Sequence, residues 1–241
     1  GTLYNVDRPY SSELPAGVAR ISRYAWGDDY HDVISRRLGG LLAWMRENGD
    51  EPFEARAYVD TGPVQERDYA QYAGLGWIGK NTCLINPELG SWLFLGVIIT
   101  TLPLEPDTQG LEQCGSCTRC LDACPTGALV EAGVLDSNRC LSYLTTDHRG
   151  PLPEEQQAGM GPHIYGCDIC QDVCPYNQPA PQSTDPAWQP RAGLDRPALA
   201  ALWQRSDAEW RAVLKGSPMK RAKIEGLRRN VAVALRNTGI F

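Results

Sequence analysis

Nine cysteines are the residues best suited to chemistry in this chain of 241 residues, and eight of them fall between positions 114 and 174. The first four have the spacing C-x2-C-x2-C-x3-C-P, the bacterial ferredoxin arrangement for two [4Fe-4S] clusters. In that arrangement three thiolates bind one cluster and the fourth reaches the other. The four residues are Cys114, Cys117, Cys120 and Cys124.

A second cysteine run repeats this spacing, with its first member displaced by an inserted loop. Because each run lends its last cysteine to the other cluster, the spacing predicts two clusters with four thiolates each. The predicted first set is Cys114, Cys117, Cys120 and Cys174, and the predicted second set is Cys124, Cys140, Cys167 and Cys170.

Two other interpretations of cysteines apply here. Four thiolates also suit zinc, but the spacing before proline, with a near copy downstream, favours clusters. Cys83 lies outside both sets, and since a lone cysteine is more often a small buried hydrophobe than a reactive thiol, we assign it no role. Clusters alone conduct electrons and transform no substrate.

The elements around the cysteines alternate between helix and strand patterns, which predicts an α+β fold. Ser91–Thr101 is the strongest strand candidate, because it is rich in β-branched and aromatic residues. The other predicted strand is Ala55–Asp60. The predicted helices are Asp29–Glu47, Val64–Tyr72, Pro197–Trp203, Asp207–Leu214 and Arg221–Asn237.

Two features between these elements have alternative interpretations. Asp60 precedes Thr-Gly-Pro, a pattern typical of a turn or a helix cap. The glycine-rich run Gly74–Lys80 suits either backbone amides that approach a phosphate or corrin amide, or ordinary helix-end turns.

The formal net charge of −6 hides a basic end, because residues 215–241 hold seven basic residues and one acidic residue. Such a cluster suits RNA phosphates or a solvated helix face.

No apolar run reaches the roughly 20 residues of a spanning helix, and thiolate ligands are best kept in a reducing compartment. We therefore expect a cytoplasmic protein without a membrane segment. The first residue is glycine, so we expect the natural chain to begin upstream.

Several motifs outside the cysteines resemble one enzyme family, the epoxyqueuosine reductases. They include Ser22-Arg23-Tyr24-Ala25 before Asp29-Tyr30-His31, Val59-Asp60-Thr61-Gly62-Pro63 and Ala73-Gly74-Leu75-Gly76-Trp77. Arg139-Cys140-Leu141-Ser142-Tyr143 and Tyr165-Gly166-Cys167-Asp168 follow the same family. The resemblance runs from about Ile21 to Asn237.

The resemblance implies a cobalamin-dependent enzyme that reduces epoxyqueuosine in the wobble position of tRNA to queuosine, the last step of queuosine biosynthesis. Electrons would pass from a flavodoxin-type or ferredoxin-type donor through two [4Fe-4S] clusters to cob(II)alamin. Asp60 matches the family's proton donor, a role that requires burial to raise its pKa from about 3.9 towards neutrality. By resemblance Arg23, Ser142 and Asp168 would contact cobalamin.

The same resemblance implies a domain order, and we expect a monomer. Residues 1–110 would form part of a cobalamin-binding α/β core, and residues 111–180 an inserted ferredoxin-like domain. Residues 181–241 would form a linker and the start of a helical, HEAT-like tRNA-binding region. We expect family sequence to be missing at both ends.

Two alternative functions stay open at the level of sequence. A corrinoid reductive dehalogenase shares the cobalamin and the two clusters, but usually carries a twin-arginine export signal. A ferredoxin-like carrier would bind the clusters and no corrinoid. The basic end and the motif around Asp60 favour the tRNA enzyme.

Overall fold

The fold mixes helices with short strands. A computed structural model describes residues 1–7, 9–10 and 13–239. The helices are α1 (Tyr30–Asn48), α2 (Glu66–Tyr72), α3 (Arg119–Ala123), α4 (Leu141–Thr146), α5 (Glu154–Met160), α6 (Ile169–Asp172), α7 (Leu199–Gln204), α8 (Asp207–Leu214) and α9 (Lys223–Asn237). The strands are β1 (Thr2–Leu3), β2 (Arg20–Ile21), β3 (Ala55–Tyr58), β4 (Trp77–Ile78), β5 (Leu84–Ile85), β6 (Leu93–Phe94), β7 (Val97–Thr100), β8 (Leu129–Glu131), β9 (Val134–Leu135) and β10 (His163–Tyr165).

The strands pair two by two. Antiparallel pairs join β1 to β6, β3 to β7, β4 to β5 and β8 to β9, while β2 and β10 run parallel. The prediction of one continuous strand over Ser91–Thr101 is wrong, because its two halves pair with different partners. Gly96 lies at the break, where an added Cβ would stand 2.9 Å from Leu38 of α1.

Helix α1 shows why the local sequence prediction succeeded. Asp29 caps its first turn by accepting a hydrogen bond from the His31 backbone amide. Val33 and Ile34 are buried, whereas Leu41, two turns after Ile34, is 45% exposed. The helix packs beside β3, so it holds Tyr30 and His31 close to the residues that follow that strand.

One hydrophobic core unites residues from early, middle and late parts of the chain. Phe94, Leu144, Tyr165 and Trp210 belong to it. One face of α9 is also buried in this core, with Leu227, Val231, Ala234 and Leu235 at most 1% exposed. None of the helices formed by the described residues is long and apolar enough to cross a membrane.

Asn230 fixes α9 to the elements that carry two of the cysteines. Its fully buried amide donates hydrogen bonds to the carbonyl oxygens of Thr145 and Ile164, both at 2.8 Å. Thr145 lies on α4, which begins directly after Cys140, and Ile164 lies on β10, shortly before Cys167. The C-terminal helix therefore helps to position the second cysteine set.

We expect Asn230→Ala to destabilise the protein by about 3 kcal/mol, because it leaves two buried carbonyl groups without a donor. The thermal midpoint, measured anaerobically by circular dichroism, should fall by roughly 6–12 °C. Asn138 is exposed, so Asn138→Ala is the control and should change stability by less than about 0.5 kcal/mol. Equal effects of the two substitutions would contradict the role of Asn230.

Candidate functional site

The eight cysteines line two neighbouring cavities in the grouping that their spacing predicts. Cys114, Cys117, Cys120 and Cys174 surround one cavity, and Cys124, Cys140, Cys167 and Cys170 surround the other. All are free thiols. Within residues 1–7, 9–10 and 13–239, no three Cys, His, Asp or Glu side chains converge on a point that would hold a single metal ion.

The surroundings of the thiols also suit a cationic iron centre. Burial raises the pKa of the Cys120 thiol to about 11, and burial likewise raises the pKa of Cys167. A bare thiolate is therefore unfavourable at these positions, whereas coordination to iron compensates the buried negative charge. The thiolate form of Cys124 is stabilised, because its sulfur accepts a hydrogen bond from the Ala128 amide at 3.2 Å.

Cys83 lies in the second cavity beside the four cysteines of that set. A hydrogen bond between the two thiols lowers the pKa of Cys83 and raises the pKa of Cys170. Spacing alone gave no signal for this contact, because Cys83 is 31 residues upstream of Cys114 in the sequence.

A third cavity, of about 820 Å³, opens beside Asp60. Aromatic rings line part of it, and polar side chains of α2 and of the loop between Asp60 and α2 line another part. The volume is towards the upper end of the range for small-molecule sites, so the cavity is large enough for a drug-sized ligand or for part of a larger cofactor. Lining residues include Tyr24, Tyr30, Phe94, Glu66 and Arg67.

Asp60 follows β3 and points its carboxylate at two side chains of α1. The Tyr30 hydroxyl donates to its Oδ2 at 2.6 Å, and His31 Nε2 lies 3.2 Å from the same oxygen. The backbone of Asp60 has φ of 58°, a conformation that residues other than glycine seldom adopt. Its own amide donates to Glu66 Oε1 at 2.6 Å. The carboxylate thus faces side chains and the cavity, which does not match a helix-capping role.

The pKa of Asp60 is lowered on balance, whereas a proton-donor role for Asp60 alone requires a raised pKa. The hydrogen bond from His31, supported by Tyr30, outweighs burial and lowers the pKa of Asp60 to about 2. His31 lies between Asp60 and Asp29, whose Oδ1 is 2.7 Å from His31 Nδ1. These two carboxylates raise the pKa of His31, with Asp60 contributing most. At neutral pH Asp60 is ionised, and His31 is the group that is ready to hold a proton.

The residues nominated as cobalamin contacts lie elsewhere. Arg23 is buried, and its guanidinium donates to Asn5 Oδ1 at 3.0 Å and to the Val6 carbonyl at 2.7 Å. Asp168 is also buried and accepts hydrogen bonds from the Ser22 hydroxyl and the Arg23 amide. Ser142 lines the second cysteine cavity. None of the three lines the cavity beside Asp60, and their contact with cobalamin stays a prediction.

The glycine-rich run Gly74–Lys80 packs against its own chain. A Cβ on Gly76 would lie 2.0 Å from the Ile85 carbonyl oxygen, so only glycine fits. The Gly74 amide donates to the Gln71 carbonyl at the end of α2, and the Gly79 amide donates to Cys83 O at 2.8 Å. These contacts favour the interpretation as turns over that of a phosphate cradle.

The basic end divides into structural and exposed charges. Arg229 donates to the carbonyl oxygens of Leu144, His148 and Gly150, so its charge holds loops together. Other predicted phosphate contacts are ion-paired: Lys220 with Asp29, Arg221 with Asp147 and Arg228 with Asp207. Exposed Lys215 and Lys223 line an open groove of about 770 Å³. Arg236 is exposed and donates to Gln157 at 3.1 Å.

Two known sequence families match parts of the chain. The family described as 4Fe-4S double cluster binding domain matches residues 113–177. The family described as epoxyqueuosine reductase QueG, DUF1730, matches residues 2–61. The first match supports iron-sulfur clusters in the part of the chain that carries both cysteine sets.

Whole-chain comparisons give similar proteins. The epoxyqueuosine reductase of Synechocystis is 46% identical over 233 residues, which cover 96% of this chain and 80% of the relative. That of Gloeobacter violaceus is 49% identical, over 94% of this chain and 72% of the relative.

Solved structures are similar over the same region. A crystal structure of epoxyqueuosine reductase with an epoxyqueuosine-modified tRNA-Tyr stem loop has 35% identity and a TM-score of 0.90, covering 98% of this chain and 63% of that one. An epoxyqueuosine reductase from Bacillus subtilis, with its catalytic aspartate loop swung out of the active site, has 34% identity and a TM-score of 0.87, covering 98% and 62%. This chain therefore spans slightly under two thirds of those solved chains.

The contact between Asp60 and His31 predicts a pH-dependent stability. Because the folded-state pKa of His31 is raised, its contribution is complete below about pH 6.5 and is lost as the pH rises through the folded-state pKa. The contribution of Asp60, whose pKa is lowered, is present above about pH 3.9 and is lost as the pH falls towards 2. We therefore expect the thermal midpoints of the protein and of His31→Gln to differ most near pH 5–6 and to converge towards pH 9.

His148→Gln is the matched control, because His148 Nε2 contacts the Pro151 carbonyl oxygen, at 2.9 Å, rather than a carboxylate. A midpoint difference for His31→Gln that did not change with pH would show that His31 does not exchange a proton in this range.

Proposed function

Because this chain belongs to the epoxyqueuosine reductase family, a family of oxidoreductases, we propose that it reduces the epoxide of epoxyqueuosine in tRNA to the alkene of queuosine. The observation that carries the proposal is the order of the three cavities. Asn81 lines both cysteine cavities, and Tyr24 and Thr82 line both the second cysteine cavity and the cavity beside Asp60. Electrons would therefore move from the first set to the second and then to the reaction site.

The two cysteine sets would each hold one [4Fe-4S] cluster, with the crossed grouping given above. An external donor of the flavodoxin or ferredoxin type would reduce the cluster of the first set. Family membership favours this reading over a reductive dehalogenase or a simple carrier. The domain order that the resemblance implies would place residues 1–110 in a cobalamin-binding core, residues 111–180 in the cluster domain, and residues 181–241 in a linker and the start of a HEAT-like region.

The cavity beside Asp60 would seat part of cobalamin, and its mixed aromatic and polar lining suits a corrin ring that carries amide side chains. When bound, cobalamin supplies a low-potential metal centre for opening the epoxide. Tyr24, Tyr30 and Phe94 would provide apolar contact area and help to exclude water, while Gln65 and Arg67 would offer polar contacts to amide groups.

Asp60 and His31 would supply a proton. Conversion of an epoxide to an alkene consumes two electrons and two protons and releases the oxygen as water. His31 would hold a proton at Nε2, 3.2 Å from Asp60 Oδ2, and Asp60 would pass it to the departing oxygen. Tyr30 and Asp29 orient the pair. The lowered pKa of Asp60 makes it a transfer group rather than a proton store.

The groove lined by Lys215 and Lys223 would bind tRNA phosphates, since it adjoins the reaction site. Lys220 at the same groove is 2.7 Å from Asp29, and Asp29 contacts His31. A tRNA stem lying in this groove would therefore bring its loop towards the cavity beside Asp60. A solved relative with a bound tRNA stem loop supports tRNA as the partner.

We expect the cluster-loaded holoenzyme, given cobalamin and a reduced donor, to convert epoxyqueuosine-tRNA to queuosine-tRNA. Asp60→Asn should lower turnover by at least about 100-fold, because it removes the group that transfers the proton. Iron content and the corrinoid absorption band should stay unchanged. Nucleoside analysis by mass spectrometry measures the product.

Asp50→Asn is the control, because Asp50 is exposed near the distal end of α1. A holoenzyme that binds cobalamin yet gives no queuosine would refute the proposed activity. Normal turnover by Asp60→Asn would refute only its role in proton transfer.

We expect the double substitution Lys215→Glu and Lys223→Glu to weaken binding of tRNA and to reduce the salt dependence of log K by about 2, one unit for each lost phosphate contact. Fluorescence anisotropy with labelled tRNA at several salt concentrations measures both effects. Arg46→Glu is the control, because Arg46 lies 15 residues beyond His31 on α1, about 22 Å away. Equal weakening by the control would indicate a general effect of charge.

A further inference from the structure

The indole of Trp77 contacts the first cysteine set. Its Nε1 donates a hydrogen bond to Cys114 Sγ at 3.4 Å. Trp77 is only 1% exposed, so this N–H group has no access to bulk water. Three other buried tryptophans, Trp92, Trp188 and Trp210, have an Nε1 atom for which the described residues supply no partner. The donor of Trp77 is therefore distinguished by its sulfur acceptor.

The position of the Trp77 ring is fixed from several sides. Trp77 pairs with Ile85 in the ladder of β4 and β5. The ring meets Tyr176 edge to face, with centroids 4.8 Å apart, and it packs with Ile85 and Cys174. The close approach of Gly76 to the Ile85 carbonyl brings this strand pair together. A donor held this firmly keeps its direction when the charge on the sulfur changes.

Lys80, three residues later, contacts the same loop of cysteines. Its Nζ donates to the carbonyl oxygens of Gly115 at 2.6 Å and Cys117 at 3.0 Å. The motif that contains Trp77 and Lys80 thus closes over the first set and places an N–H donor and a positive charge beside it. The turns of the glycine-rich run serve this approach.

We propose that Trp77 sets the reduction potential of the cluster held by the first cysteine set, by donating its indole N–H to Cys114 Sγ. Reduction adds negative charge that spreads onto the ligand sulfurs, so a fixed donor stabilises the reduced cluster more than the oxidised one. The potential of this cluster is raised as a result, which favours acceptance of an electron from an external donor. Trp77 acts through Cys114 and is a positioning residue. The proposal depends on the clusters and not on the identity of the substrate.

The test compares the cluster-loaded full chain with Trp77→Phe, which retains an aromatic ring and loses the N–H. Redox titration followed by electron paramagnetic resonance resolves the two clusters. We expect the potential of one cluster to fall and that of the other to stay unchanged. Trp210→Phe is the matched control, because Trp210 is fully buried in the core formed with the C-terminal helices, and should move neither potential. Two unchanged potentials in a Trp77→Phe protein with eight irons would overturn the proposal.

A second measurement decides the question if Trp77→Phe fails to retain its iron. In native-sequence protein labelled with 15N at the indole, the reduced first cluster should show hyperfine coupling to one nitrogen. Among the described residues Trp77 is the tryptophan that donates to a cysteine sulfur. Absence of that coupling would overturn the proposal, and its presence would support it without any substitution.

Discussion

The crossing of the two cysteine runs is the constraint on which the rest of this structure depends. Cys174 must return to the cavity of Cys114, while Cys124 must reach the cavity of Cys140, so neither run can close its site alone. The chain between the two runs therefore has to fold back, so that the second cysteine run packs against the first. Packing of α3 against α6 achieves this locally, and α9 secures it from outside through Asn230. The C-terminal helix is thus part of the support for the clusters as well as part of the core.

The proposed reaction site depends on a different balance, in which a hydrogen bond from His31 outweighs the effect of burial on the pKa of Asp60. Burial alone would raise the pKa of Asp60 and keep its carboxyl group protonated closer to neutral pH. The imidazole of His31, however, lies between two carboxylates and keeps Asp60 ionised. In the proposed reaction the proton donor would therefore be shared by two residues. Asp60 has access to the cavity, and His31 has the higher proton affinity.

The sequence predicted those features that follow from spacing along the chain. The periodicity located α1 within a residue at each end, and the cysteine intervals grouped the thiols into the two sets that the cavities show. Contacts between segments that are distant in the sequence could not be predicted from spacing. The break between β6 and β7 arises because each half pairs with a different strand. The pKa of Asp60 depends on a side chain 29 residues earlier in the chain. The resemblance had already marked Asp29-Tyr30-His31, but no pattern showed which way they point.

Residues of the short segment from Trp77 to Cys83 contact or line all three cavities. Trp77 and Lys80 contact the first cysteine set, Asn81 lines both cysteine cavities, and Cys83 contacts Cys170 in the second. Thr82 lines the second cysteine cavity and the cavity beside Asp60, and it adopts a φ of 64° to do so. Strained backbone of this kind persists where the surrounding structure enforces it. The segment from Trp77 to Cys83 borders every redox centre in the proposed path. A shift of this segment would therefore alter the surroundings of all three centres together. The tight glycine contacts at Gly76 and the ladder between β4 and β5 oppose such a shift.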